Sequence, residues 1–234
     1  MPVRTKGAAE FRSRRRPQLS DEVSSYVRDL IMSGEVRQGE FLRLEHIADE
    51  LGVSVTPVRE AMLSLRGEGF VNLEARRGFT VAPLSRQDVE DLFRVQADVA
   101  AELTARASER SSAEVVEKLA DLQERLEKAA KRKAADEVEE LNFAFHRTIN
   151  LTADSAKLAW ILGTVVRYAP RRFFATIHGW QDASVGEHHT IIEALRESDA
   201  EKARATMHQH ITHAGELLVT HLAGRGMWDD DPAK

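Results

Sequence analysis

Residues 47–81, IADELGVSVTPVREAMLSLRGEGFVNLEARRGFTV, constrain the fold more than any other stretch of this 234-residue chain. A helical spacing of apolar residues gives way there to an alternating one. Ile47, Ala48 and Leu51 form the apolar face of a short helix, and Gly52 stands where a left-handed cap ends it. Val53 plugs the turn. Ser54 and Thr56 are N-cap residue types, and Pro57 suits a first helical turn because it brings no N–H that would lack a partner there. Val58, Ala61, Met62 and Leu65 recur as a buried stripe, which leaves Arg59, Ser64 and Arg66 on the other face. Beyond Gly69 the period drops to two. Phe70-Val71-Asn72-Leu73 and Phe79-Thr80-Val81 read as short strands around Glu74-Ala75-Arg76-Arg77-Gly78.

Helix, tight turn, helix and basic hairpin in that order make a winged helix-turn-helix, whose second helix enters the major groove of double-stranded DNA. The candidate DNA-binding residues are Arg43, Ser54, Val55, Thr56, Pro57, Arg59 and Arg66, with Arg76, Arg77 and Gly78 at the wing tip. An isolated hairpin with two solvated arginines would carry no function. Beside a recognition helix, its tip is placed to reach a phosphate or the minor groove. An earlier helix over Glu22 to Ser33, with Val23, Tyr26, Val27, Leu30 and Ile31 at helical spacing, completes the domain.

The formal net charge of −5 does not announce a nucleic-acid binder, but the charge is uneven. Residues 1–84 hold 13 Lys+Arg and 12 Asp+Glu, a balance of +1, and the rest of the chain carries −6. Arg4, Lys6, Arg12, Arg14, Arg15 and Arg16 face only Glu10 in the far N-terminal arm. Such a segment, poor in apolar residues, is expected to be disordered when free. It is either a solubilising tail or a strand of charge that follows the DNA backbone. Cysteine is absent, which excludes disulfides and thiolate metal sites. No run of 18 apolar residues and no secretory leader pattern occur, so the expected setting is cytoplasmic, without a membrane partner.

From about Ser85 to Gly224 the pattern is helical throughout, and the fold class is mainly α: the winged helix followed by an all-α antiparallel bundle of six to seven helices. Segments are expected at about 86–109, 112–132, 136–151, 156–177, 184–197 and 199–223. Ser85-Arg-Gln-Asp88 and Ser111-Ser-Ala-Glu114 have the form of helix starts. Val115, Leu119, Leu122 and Leu126, like Val138, Leu141, Phe145 and Ile149, are core stripes. The expected organisation is a disordered basic arm over 1–18, the DNA-binding domain over 19–84, the helical domain over 85–224 and a disordered tail over 225–234.

Four polar residues interrupt the bundle's apolar faces. Asn142 and His146 are four apart on one helix, His188 precedes Ile191 and Ile192, and His210 sits between Met207 and Ala214. Inward histidines are often satisfied core residues. Three imidazoles and an amide oxygen from three helices can also close around a divalent metal, and imidazole suits zinc, nickel, copper or iron. His178, His189, His208, His213 and His221 are assigned to the surface or to places behind the cluster.

GVSVTPVREAMLSLRGEGFV followed by RRGFTV closely resembles the DNA-binding domain of the GntR family of bacterial transcription regulators, over roughly Leu19 to Pro83. Position 55, often arginine in that family, is Val55 here, which removes one contact and alters operator preference. Asn142-Phe-Ala-Phe-His146, Glu187-His188-His-Thr-Ile-Ile-Glu-Ala-Leu195 and Ala203-Arg-Ala-Thr-Met207-His-Gln-His210 resemble the FCD effector domain of the FadR-type branch. The resemblance implies Asn142, His146, His188 and His210 as ligands of a divalent ion, zinc or nickel, with a neutral Asn where Asp is also found. It implies a homodimer on a near-palindromic DNA operator and a small organic-acid or acyl effector that modulates operator binding, most commonly by relieving repression.

Such domains commonly carry Arg and Glu in their first helix, where this chain places Gln96 and Ala100. The effector-binding candidates are therefore Arg94, Gln96, Arg167 and Arg171. Tyr168, Phe173, Phe174 and Trp180 near Arg171 and Arg172 are either core aromatics beside solvated arginines or a wall suited to a fatty or aromatic acid. Coupling is expected through the link from Ala82 to Asp88. The alternative to a regulator is a metal-dependent enzyme built on the same histidines. It needs an open metal position and a base, and leaves the recognition helix without a purpose.

Overall fold

The computed structural model describes residues 19–168, 177 and 179–228. The chain divides into two compact units, one over residues 36–83 with residues up to 31, the other over residues 32–35 and from 84 onward.

In the first unit, α1 (Leu19–Met32) is followed by β1 (Phe41–Leu42), α2 (Leu44–Leu51), α3 (Val55–Gly67), β2 (Val71–Glu74) and β3 (Gly78–Val81). Val23, Val27 and Ile31 of α1 are buried, as are Ile47, Ala48, Val58, Ala61, Met62 and Leu65 of α2 and α3. Each large apolar side chain buried there contributes about 1.5–3 kcal/mol. Gly52 closes α2 in the left-handed region at φ 65°, as its place in the turn requires. The sheet order is β1-β3-β2, antiparallel, with Leu73 opposite Phe79 and Glu74 opposite Gly78. The third strand was not expected. Phe41 and Leu42 pair with Thr80 and Phe79, and two residues are too few to show a period.

The second unit is helical: α4 (Arg86–Arg110), α5 (Ala113–Lys131), α6 (Ala135–Thr152), α7 (Ala156–Val165), α8 (Trp180–Arg196) and α9 (Ala200–Gly224). Ser85 caps α4 in a full capping box with Asp88, and Ser112 caps α5 through the amide of Val115. Phe93 lies against Gly215, Asp98 against His208 and Glu102 against Arg204, which sets α4 and α9 antiparallel along their lengths. α4 also buries the small residues Ala97, Ala100, Ala101 and Ala105. Leu103, Leu119, Phe145, Ile149, Ile191, Leu195 and Met207 fill the centre.

Four boundaries differ from expectation, the first being α1, which starts at Leu19, three residues before Glu22. The segment expected over 156–177 is helical only to Val165 and then tightens into a 3-10 turn over Val166–Tyr168, two residues before Pro170. α8 starts at Trp180, four residues early, after Gly179 in the left-handed region at φ 85°. The tail expected to be disordered from 225 holds Trp228 buried, its Nε1 donating to the carbonyl of Leu84 at 2.9 Å. Backbone bonds from Arg225, Gly226 and Met227 to the last turn of α9 hold the same stretch. No helix among the described residues is long and apolar enough to cross a membrane.

Candidate functional site

In the first unit the buried stripe of α3 leaves Ser54, Thr56, Arg59, Glu60 and Arg66 exposed together, with Val55 and Pro57 half-buried. Ser54 is the N-cap residue, yet its hydroxyl makes no bond to the helix amides. The first-turn N–H groups and that hydroxyl are thus left to an outside acceptor, which suits a phosphate oxygen. Arg43 is exposed at the N-cap of α2. At the wing tip Arg76 takes φ 63°, Gly78 takes φ 103°, and the Arg77 guanidinium lies 5.0 Å from the centre of the Phe41 ring. The unforeseen β1 therefore supplies an aromatic platform for one wing arginine.

In the second unit the sequence-predicted histidines do come together. His146 on α6, His188 on α8 and His210 on α9 bring one nitrogen each within 4.8 Å of one another. Nε2 of His146 and Nε2 of His210 are 3.3 Å apart. The rings of His146 and His210 stack at 5.2 Å, and Phe145 lies flat on His188 at 4.0 Å between centroids. His188 and His210 are buried, whereas His146 keeps a partly accessible edge although it sits deep among the helices. Burial, and then the nearby His210, push the His146 pKa down to about 3. Burial, and then His210 and His146, hold His188 well below the usual histidine value. Both are therefore neutral at pH 7, the form that can ligate. Asn142 lies one turn before His146, and its buried Oδ1 has no hydrogen-bond partner.

Three residues not anticipated as partners surround the cluster. Gln123 Oε1 lies 2.8 Å from His188 Nδ1, and Ser184 Oγ lies 3.4 Å from His188 Nε2. Glu187 accepts from Nδ1 of His210 at 2.8 Å and from Nδ1 of His213 at 2.7 Å. Burial would raise the Glu187 carboxyl, but the hydrogen bonds from the two histidines, and then their charge, bring it below the usual range. The spacing of His210 and His213, three apart on α9, was a usable signal that one carboxylate could serve both.

The effector candidates are not gathered in the same way. Gln96 is buried on α4 with its Nε2 lacking a hydrogen-bond partner. The antiparallel register of α4 and α9 sets it level with His210 to Thr212. Arg94 points outward in an ion pair with Asp91 at 2.8 Å. Arg167 is exposed in the 3-10 turn, and Arg171 lies outside the described residues, as do Phe173 and Phe174.

A model of the bacterial regulatory proteins, gntR family, matches residues 19–81, and a model of the FCD domain matches residues 91–213. The HTH-type transcriptional repressor GlaR of Escherichia coli (strain K12) is 27% identical over 211 residues, spanning 85% of this chain and 95% of its own length. The gluconate operon transcriptional repressor of Bacillus licheniformis is 24% identical over 195 residues, spanning 80% of each. The solved structure of E. coli McbR/YncC shares the fold with a TM-score of 0.69 at 21% identity, covering 87% of this chain and 98% of that one. These relatives and both domains belong to transcription regulators, so the enzymatic alternative for the histidine cluster falls. The chain belongs to the GntR family of transcription regulators, in the FadR-type branch that joins a DNA-binding winged helix to a helical FCD domain.

Proposed function

We propose that this regulator is a homodimeric repressor whose helical domain binds a divalent metal, zinc or nickel, together with a small organic-acid or acyl effector that modulates operator binding. In this reading residues 19–84 read DNA and residues 85–224 bind metal and effector and form the dimer. Repressors among the relatives support the sign of regulation. The observation that carries the metal is the spacing of the donor atoms. Two imidazole nitrogens held about 2.0–2.1 Å from one tetrahedral zinc ion stand about 3.3–3.4 Å apart. Nε2 of His146 and Nε2 of His210 stand 3.3 Å apart. Asn142 Oδ1, a buried acceptor without a partner, supplies a fourth donor one turn away.

His146, His188, His210 and Asn142 would hold the ion, which when bound supplies a Lewis-acidic anchor for an oxygen of the effector. Gln96 is then the effector-facing residue the structure favours. Its orphaned amide N–H can donate to a carbonyl or carboxylate oxygen without contributing charge. On the DNA side, Ser54, Thr56 and the first turn of α3 take a phosphate, Arg43, Val55, Pro57, Arg59 and Arg66 lie against the groove, and the wing of Arg76, Arg77 and Gly78 follows the backbone. The effector can change operator occupancy only by its differential affinity for the bound and free arrangements.

The test is metal uptake by the purified chain, read by elemental analysis after dialysis, beside operator binding by gel shift. One zinc or nickel ion per chain is expected, with N142D binding about tenfold or more tightly because a carboxylate replaces a neutral amide. Absence of uptake at micromolar zinc and nickel would overturn the metal reading. Operator affinity insensitive to a panel of organic and fatty acids would overturn the effector reading.

A further inference from the structure

The four donors proposed for the ion are three imidazoles and an amide, and none is a carboxylate. A dication in an otherwise apolar core is costly without a negative charge near it. The structure places such a charge one layer further out. Glu187 sits on α8 beside His188 in sequence, yet its carboxylate turns to α9 and spans His210 and His213 at 2.8 and 2.7 Å. Its side chain is only 24% exposed. An ionised carboxylate only accepts, so both Nδ1 atoms carry hydrogen. His210 is left with its lone pair on Nε2, the atom that faces His146.

Gln123 of α5 plays the matching part for His188. Its Nε2 donates to the carbonyl of Val185 at 3.2 Å and to Glu127 Oε1 at 3.2 Å. Two acceptors on that side fix the orientation of the amide, so its oxygen faces His188 Nδ1 at 2.8 Å. His188 must then donate from Nδ1 and keep its lone pair on Nε2, where the Ser184 hydroxyl stands at 3.4 Å as a donor. From two helices that share no sequence motif, an amide and a carboxylate impose the same tautomer on two histidines.

We propose that Glu187 and Gln123 are the positioning residues of the cluster: they hold His210 and His188 as Nδ1–H tautomers with Nε2 facing inward, and Glu187 supplies through His210 the negative charge that Asn142 does not. The tautomer half concerns the metal-free protein. The charge half rests on the metal reading above. Outer hydrogen-bond partners of ligating histidines typically account for a 10–100-fold difference in metal affinity.

The experiment uses the full chain, with imidazole nitrogen–proton correlation spectra of the metal-free protein and zinc affinity by competition with a chromophoric chelator. In the wild type His188 and His210 should show hydrogen on Nδ1 and none on Nε2. E187A should scramble the tautomer of His210 and leave His188 alone, Q123A should do the converse, and each should weaken zinc binding about 10–100-fold. E187Q preserves size and an acceptor oxygen, so it serves if E187A does not fold. It should keep the His210 tautomer yet weaken zinc, and N142D in the E187Q background should restore the loss. Unchanged tautomers in E187A and Q123A would overturn the positioning roles. Unchanged zinc affinity in E187Q would overturn the charge role. A wild type that takes up no zinc, with the expected tautomers present, would overturn the metal reading and the charge role while the positioning roles stand.

Discussion

Gly215 shows how one missing methyl group sets the distance between two long helices. It lies inside α9, where glycine ordinarily costs about 1 kcal/mol relative to alanine. A Cβ built there would meet Phe93 Cγ at 2.7 Å and Phe93 Cβ at 2.8 Å, closer than side chains approach. Phe93 is buried on α4 and its Cβ is fixed to the helix, so the ring cannot swing wholly clear. Overpacking of this kind costs about 1–3 kcal/mol, which outweighs the gain in helix propensity. G215A should therefore lower the midpoint of urea unfolding, whereas the same change at an open helical glycine, Gly163, should raise it or leave it unchanged. A double-mutant cycle with F93A isolates the contact. If G215A is as destabilising in the F93A background as in the wild type, the clash is not its cause. The same contact fixes the register that brings Gln96 level with His210.

Between elements, α4 and α9 are also joined by charge. Glu102 accepts from Arg106 of its own helix at 2.6 Å and from Arg204 of α9 at 2.5 Å. The hydrogen bond from Arg204, followed by that from Arg106, holds the Glu102 carboxyl below its usual range. A carboxyl lowered on folding stabilises the protein above the unfolded-state value, near pH 4–5, and loses that contribution as the pH falls through the lowered folded-state value. With the side chain about one-third exposed, screening keeps the effect to about 1 kcal/mol or less. E102Q should thus cost about that much at pH 7 and progressively less as the pH falls below the unfolded-state value, measured by urea melts. Destabilisation that does not change with pH would assign the loss to packing instead. These elements show what could be read from sequence and what could not. The capping box of Ser85 with Asp88 and the stripe Val138, Leu141, Phe145 and Ile149 are local patterns, and they appear where expected. His146, His188 and His210 were foreseen to meet because each sits on an apolar face. Gln123 and Glu127 were not foreseen as partners of α8. They lie 65 and 62 residues from His188 and His189 on a helix whose outer face is generally charged, and no local period marks them. β1 escaped notice because it exists only through pairing with β3.

At the scale of the whole molecule, the charge distribution raises the question of how an acidic chain holds DNA. Residues 1–84 carry +1 in all, and six of their thirteen basic residues lie before residue 17. Without those six, the balance of the remaining stretch is negative. The exposed basic groups of the winged helix are few: Arg37 and Arg43 before α2, Arg59 and Arg66 on α3, and Arg76 and Arg77 at the wing, with Arg77 also engaged over Phe41. Each phosphate neutralised contributes about −0.9 to the slope of log K against log salt. If the N-terminal arginines follow the DNA backbone, removing residues 1–16 should make that slope less negative by up to about 5 per arm and weaken binding at low salt far more than at high salt. Sequence preference should be untouched, because phosphate contacts position the protein without reading bases. R59A gives the opposite signature if that side chain reaches a base edge: a loss of about 1–3 kcal/mol confined to the cognate operator, with a slope changed by no more than about one phosphate. Filter binding across a salt series, on cognate and scrambled duplexes, separates the two. An arm deletion that leaves the slope unchanged on both duplexes makes residues 1–16 a solubilising tail, and then the +1 balance of the first 84 residues overstates the attraction that the folded winged helix itself exerts.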